Sequence, residues 1–279
     1  MVSSSLDMFQ NFLPSPLRQF IRYFVRRFWS YPRLSLRIQG ELCEFNYQGI
    51  SIKLYPDSWI YCPVLPLRKI PDLSFFIREM PGYFKFYQPK EGDTIIDAGA
   101  FIGAFAIYVS KKIGNNGKVI AFEPDIKNYE LLMKNITINN LDNVFCYNYC
   151  LWNTESELKF YASGRNTSSV VAVQQKEEKD TQIIRVKAVA LDNFLTKLNI
   201  SNVDFIKMDI EGAEIEALNG AIKLLKRNNP NLAIASYHKR DGVETHNTIT
   251  PILSQLGYNV STIFSGQTIT YASKRNLLW

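Results

Sequence analysis

The residues with chemistry to offer gather in two short stretches, the turn DAGAFIG at positions 97–103 and the segment Asp209-Ile210-Glu211-Gly212-Ala213-Glu214. The first sits where the apolar run Thr94-Ile95-Ile96-Asp97 meets a helical pattern that begins near Ala104. That is the form of the first strand-to-helix turn in a nucleotide-binding α/β domain. Gly99 and Gly103 are expected to let the backbone pass close to a ligand where a Cβ would clash. The following helix aims unpaired N–H groups and the positive end of its dipole at the turn. Twenty-six residues after Asp97, the strand Lys118–Phe122 runs into Glu123. A carboxylate at that strand tip suits a ribose diol, because it accepts both hydroxyl hydrogens. Two features separate the turn from a nicotinamide site: the glycine spacing is G-x-x-x-G, and an acid precedes the first glycine. Asp97 would repel a pyrophosphate and attract a cationic amine. S-adenosylmethionine has a ribose diol, an amine and no phosphate, so the turn points to a methyl donor.

In an open α/β sheet, ligands bind at the carboxyl ends of the strands, near the switch in strand order. Those ends carry Asp97, Glu123, the Cys150-Leu151-Trp152-Asn153 segment, Asp209 with Glu211, and Tyr237-His238. The D-x-E-G segment is expected to set two carboxylates beside the first turn, with Gly212 allowing the tight bend. Asp209 and Glu211 either cap the next helix or act in catalysis; capping alone does not require two acids around a glycine. Glu214 falls in the first turn of that helix, where the dipole favours an acid, and Lys207 is expected to neutralise Asp209 and Glu211. His238 either serves as a general base near neutral pH or hydrogen-bonds within its loop, and His246 is read as a surface loop residue. Asp209 and His238 are able to converge on a metal, but their spacing does not demand one, and no metal is assigned.

The elements that must position these residues follow from hydrophobic periodicity. Strands are expected at 93–97, 118–122 and 143–148, separated by helices at 104–113 and 126–139. A β excursion occupies 155–190, with strands near 157–161 and 182–189. Then come a strand at 203–209, a helix ending near Arg227, and a strand at 232–237. The chain closes with strands near 258–263 and 267–272 joined at Ser265-Gly266, a hairpin signal. Such alternation implies a mostly parallel sheet with a C-terminal antiparallel hairpin. Upstream, residues 41–62 alternate as a hairpin turning at Gln48-Gly49. The aromatic cluster Tyr83-Phe84-Lys85-Phe86-Tyr87 is expected to pack on the sheet rather than close over a ligand.

Composition sets the outer bounds. With 279 residues and 46% hydrophobic content the chain can bury a full core. Residues 1–40 carry six arginines against the single acid Asp7, so +5 of the net +6 sits there. The remainder is nearly neutral, which argues against a nucleic-acid substrate despite a pI of 9.0. Asn229-Pro230-Asn231 does not match the D/N-P-P-Y/F signature of amino-methylating enzymes. Pro16 through Trp29 reads as an amphipathic helix, capped by Ser15 and stopped by Pro32. Leu17, Phe20, Ile21, Phe24, Val25 and Phe28 line one face, and Arg18, Arg22, Arg26 and Arg27 the other. Two readings stay open: a peripheral contact with an anionic membrane through residues 16–29, or a helix packed on the catalytic domain or on a partner subunit. Cys43, Cys62, Cys146 and Cys150 show no C-x-x-C pairing; Cys146 and Cys150 would lie along one strand, about 13 Å apart. Reduced thiols, no apolar run of ~18 residues and no signal-peptide pattern suggest a cytoplasmic protein.

DAGAFIG, AFEPD, the loop with Asn166-Thr167-Ser168-Ser169, VALDNF and KMDIEGAEIEALNGA occur in that order. Over residues 75 to 272 the pattern resembles the FkbM family of S-adenosylmethionine-dependent methyltransferases. The resemblance implies a class I methyltransferase fold with a seven-stranded sheet, and transfer to the oxygen of a sugar, glycan or other natural-product hydroxyl. Ala98 stands where the family usually has valine, a conservative change. Residues 1–74 lie outside the resemblance and form an accessory segment. The expected donor-binding set is Asp97, Gly99, Ala100, Gly103, Glu123 and, bordering the adenine by analogy, Leu151. Asp209, Glu211 and His238 are the candidates for the base. A non-catalytic donor-binding or membrane-recruited module and a nicotinamide-dependent oxidoreductase are the rival readings.

Overall fold

The computed structural model describes residues 34–39, 42–55, 59–61, 69–71, 79–163, 168–173, 182–265 and 267–275. The chain divides into two compact units, residues 1–72 and 73–279. The helix expected over 16–29 lies outside the described residues, as do Cys62 and, in the Asn166–Ser169 loop, Asn166 and Thr167.

In the first unit, β1 (Leu34–Gln39), β2 (Leu42–Tyr47) and β3 (Ile50–Leu54) form an antiparallel sheet in that order. The β2–β3 turn is Gln48-Gly49, both with positive φ, the pair that a right-twisted two-residue hairpin demands. The strand β1 was not foreseen. Two short strands, β4 (Trp59–Tyr61) and β5 (Lys69–Pro71), pair separately.

The second unit opens with a single turn of helix, α1 (Met80–Tyr83), and then alternates: β6 (Thr94–Ala98), α2 (Ala104–Ile113), β7 (Lys118–Phe122), α3 (Ile126–Ile138) and β8 (Val144–Tyr147). The segments β9 (Cys150–Leu151), β10 (Ser156–Ala162), β11 (Ser169–Val170) and β12 (Gln182–Val189) form a side sheet in the order β11-β10-β12-β9. After α4 (Leu191–Lys197) come β13 (Phe205–Met208), α5 (Glu214–Asn219), α6 (Ile222–Asn228) and β14 (Asn231–Ala235). The chain continues through β15 (Lys239–Arg240), β16 (Val243–Glu244), α7 (His246–Gln255), β17 (Asn259–Ser265) and β18 (Gln267–Ser273).

The main sheet runs β17-β18-β14-β13-β6-β7-β8, with β18 alone antiparallel to its neighbours. This is the class I methyltransferase arrangement. Its central strands are buried on both faces, which is why they read as apolar runs rather than alternating ones: Ile95, Ile96, Val119, Ile120, Ala233 and Ile234 are all fully enclosed. Chain order switches between β6 and β13, so the crevice at the carboxyl ends of these two strands is where a ligand belongs.

Three expectations need correction. The helix after β13 is broken at Gly220-Ala221, because Asp192 accepts hydrogen bonds from the amides of Lys223 and Leu224 and caps α6 as a separate helix. His246 does not lie in a loop but opens α7. Cys146 lies within β8 while Cys150 starts β9, so they do not share a strand; both are free thiols. Among the described residues no helix is long and apolar enough to cross a membrane.

Candidate functional site

The two central strands pair in register, with Lys207 directly beside Asp97. Lys207 Nζ stands 3.0 Å from Asp97 Oδ1 and donates to the carbonyls of Gly99 at 2.6 Å and Ala98 at 3.3 Å. Both side chains are buried. Burial pushes the Asp97 carboxyl up, and Lys207 opposes that shift. Lys207 therefore neutralises Asp97, not the Asp209–Glu211 pair as expected. Asp97 meets a cation within the protein itself, although its Oδ2 remains without a hydrogen-bond partner.

The turn after β6 has positive φ at Gly99 (76°), Phe101 (50°) and Gly103 (90°). Its glycines permit close packing of backbone and side chains. A Cβ on Gly99 would lie 1.9 Å from the Asp209 carbonyl oxygen, and one on Gly103 would lie 2.6 Å from Leu132 Cδ1 on α3. Gly99 thus lets the first turn touch the D-x-E-G turn, and Gly103 lets it nest on the next helix. Ala100 is buried in the same turn, its amide donating to Phe122 O.

Glu123 follows β7. Its Oε2 accepts from the Phe101 amide at 2.8 Å, and its Oε1 from the Asp125 amide at 3.0 Å and, more distantly, from Asn128 Nδ2. The side chain is 5% exposed, and burial raises its pKa to about 7 against the pull of those amides. Asp125 caps α3 through the Lys127 amide and accepts the Ser168 hydroxyl at 2.7 Å, tying the side sheet to this corner. Leu151 is 3% exposed and belongs to the core cluster that includes Phe122 and Phe194.

At the ends of β13 and β14, Asp209, Glu211 and His238 converge, their ligating atoms lying within 4.8 Å of one another. His238 Nδ1 is 2.9 Å from Glu214 Oε1; its Nε2 is 3.5 Å from Glu211 Oε2 and 3.6 Å from Asp209 Oδ1. Burial would lower the imidazole pKa, but Glu214, Glu211 and Asp209 outweigh it and hold it well above the usual histidine value. Glu211 is pushed up by burial, with His238 pulling the other way. Glu214 is fully buried, which would raise its pKa; His238 and the Gly212 amide prevail and lower it. Glu211 adopts φ 54°, a left-handed conformation that costs a non-glycine residue roughly 1–2 kcal/mol. Glycine or asparagine would relieve that cost.

Sequence reasoning missed two members of this cluster. Glu214, assigned only to the helix dipole, orients His238. Tyr83, placed with packing aromatics, donates its hydroxyl to Asp209 Oδ2 at 2.7 Å while its ring meets Phe105 edge-on. The signal for Glu214 was the third acid in D-x-E-G-A-E; nothing local linked Tyr83 to a strand end 126 residues away. The other cluster aromatics pack on the sheet and on α2: Tyr87 stacks on Phe205, Phe86 meets Tyr271 edge-on, and Phe84 stacks on Phe105 of α2. A separate cavity of about 550 Å³, lined by Ser110, Lys111, Lys118, Asp142 and Asn143, opens at the opposite, amino-terminal edge and shares no residue with the cluster.

Comparison with known proteins agrees with this architecture. Residues 97–260 match the family described as the Methyltransferase FkbM domain. Methyltransferase 1 of Beauveria bassiana is 26% identical over 143 residues, covering 45% of this chain and 57% of that protein. Methyltransferase sdnD of Sordaria araneosa is 27% identical over 154 residues, covering 45% and 59%. The matches thus span less than two thirds of these curated relatives. Among solved structures, the methyltransferase FkbM from Methylobacillus flagellatus KT is similar at 20% identity, with a TM-score of 0.47 over 72% of this chain and 52% of that one.

Proposed function

Because the chain belongs to the FkbM methyltransferase family, we propose that it transfers a methyl group from S-adenosylmethionine to the hydroxyl oxygen of a sugar, glycan or related natural product. The observation that carries this reading is the meeting, at one sheet edge, of the Glu123 corner with the Asp209–Glu211–His238 cluster through the Gly99–Asp209 contact. The residues fit the donor. Glu123 is a desolvated carboxylate with lone pairs to spare, suited to two ribose hydroxyls. Asp97 Oδ2, buried and unpartnered, is an acceptor for an amino group. The bound donor supplies an electrophilic methyl on a sulfonium, so the chain's task is to align the acceptor oxygen and take its proton.

Glu211 is the group best suited to that proton. It is partly exposed, and burial raises its pKa toward the working range of a base. Asp209, fixed by the Tyr83 hydroxyl, and His238, fixed by Glu214, position it and the acceptor. Calorimetric titration with S-adenosylmethionine, its demethylated product and NADH tests donor choice; saturable NADH binding with no response to the methyl donor would sink the reading. With a competent acceptor, Glu211→Gln is expected to cut turnover by about 10²-fold or more, the scale of a lost general base. Near-normal turnover in that variant would remove Glu211 from the role.

A further inference from the structure

We propose that Asp209, Glu211 and His238 form a binding site for a divalent cation, a first-row transition ion such as Mn²⁺ or Zn²⁺. The inference rests on the geometry of the cluster and not on the methyl-transfer reading. Three carboxylates, Asp209, Glu211 and Glu214, face one imidazole. Among the described residues, Lys207 is committed to Asp97 and Arg240 to Glu216. Even a protonated His238 therefore leaves two negative charges in a largely enclosed corner, and enclosed charges demand compensation.

The orphaned atoms aim inward. His238 is 8% exposed, and its Nε2 and Asp209 Oδ1 are buried without a hydrogen bond. The separations of 3.5 and 3.6 Å from Nε2 to the two carboxylates are too long for hydrogen bonds. They are close to the roughly 3.4 Å expected between donors that each lie about 2.1 Å from a tetrahedral centre. Glu214 against Nδ1 completes the carboxylate–histidine arrangement that fixes the ring and presents Nε2 to a metal. One imidazole with two carboxylates suits Mn²⁺ or Zn²⁺ better than an all-oxygen ion. Three protein donors leave a position open, where the cation would hold a hydroxyl oxygen and ease loss of its proton; with the ion bound, Glu211 would serve as a ligand, and it would act as the base only without the ion.

The test uses the full chain, stripped with a chelator and desalted. Mn²⁺ is titrated and the free ion read by electron paramagnetic resonance, while S-adenosylmethionine binding is measured calorimetrically on the same samples. One Mn²⁺ per chain is expected. Asp209→Asn and His238→Gln should each weaken it at least about tenfold, and Glu214→Gln about 10–100-fold through ring orientation. Should a buried variant fail to fold, Glu211→Gln at the partly exposed rim makes the same comparison. Absence of saturable Mn²⁺ binding by the folded wild type, or equal binding by the folded variants, overturns the site. Mn²⁺ binding without donor binding would uphold the site and count against the transfer reading, and the reverse result would do the opposite.

Discussion

Replacing Gly99 by alanine probes the contact that joins the two halves of the site. The added Cβ would meet the Asp209 carbonyl oxygen at 1.9 Å, where ordinary contact begins at 3.4 Å, so the two turns must part by about 1.5 Å. That movement strains the hydrogen bond from the Asp209 amide to Ala98 O, now 3.0 Å. Gly242 is the matched control. Its φ of 81° is close to the 76° of Gly99, yet nothing lies within 4 Å of its would-be Cβ. Gly242→Ala should therefore cost only the left-handed conformation, about 1–2 kcal/mol. Gly99→Ala carries that cost, about 1–3 kcal/mol of overpacking, and part of a hydrogen bond, for a total of roughly 3–5 kcal/mol. At roughly 2–4 °C per kcal/mol for a unit of this size, its melting point should fall by roughly 6–20 °C, well beyond the control. Differential scanning calorimetry of the three proteins, with urea unfolding alongside, measures both losses. Equal losses in the two variants would refute the reasoning, since the steric contact would then contribute nothing.

The remaining predictions concern buried charge. Glu123 has a folded pKa of about 7 against an ordinary value of 4.5, so between these pH values the folded chain keeps a proton that the unfolded chain has released. Stability should then fall by about 3 kcal/mol as pH rises through that window, and Glu123→Gln should flatten this part of the profile; an unchanged profile in the variant contradicts the assignment. Lys207→Met strands Asp97 in the core and should cost about 3–5 kcal/mol, with Asp97→Asn added to it recovering part of the loss. Strictly additive losses in a denaturation double-mutant cycle would show that the two are not coupled. Tyr83→Phe removes the hydroxyl bonded to Asp209 and should cost about 1.5–3 kcal/mol, as for a hydrogen bond to a charged group; urea unfolding indistinguishable from wild type would rule that out.

Local pattern decided much of this protein. Apolar runs such as Thr94–Ile96 and Lys118–Phe122, and the helical face of Ala104–Ile113, respond to backbone periodicity within a few residues, and the structure places those elements where the sequence puts them. The acids that follow the strands go to the carboxyl-end edge of the sheet for the same reason, because a residue just past a strand inherits that strand's end. Helix α7 escaped notice because Pro251 and the β-branched run Thr248-Ile249-Thr250 depress helix propensity, and tertiary packing of Ile249 and Leu253 overrides them.

What the sequence left open is which ends touch. Lys207 meets Asp97 only because β13 lies beside β6 in one register, and a slip of one residue would turn Lys207 to the other face. Gly99 faces the Asp209 carbonyl, Tyr83 reaches Asp209, and Glu214 holds His238 across β13 and β14 for the same reason. Each contact joins residues set together by strand order and register, and their energies arise on burial, where a lone charge is costly and a paired one is not. Periodicity places residues along the chain, and only the assembled sheet decides which of them become neighbours.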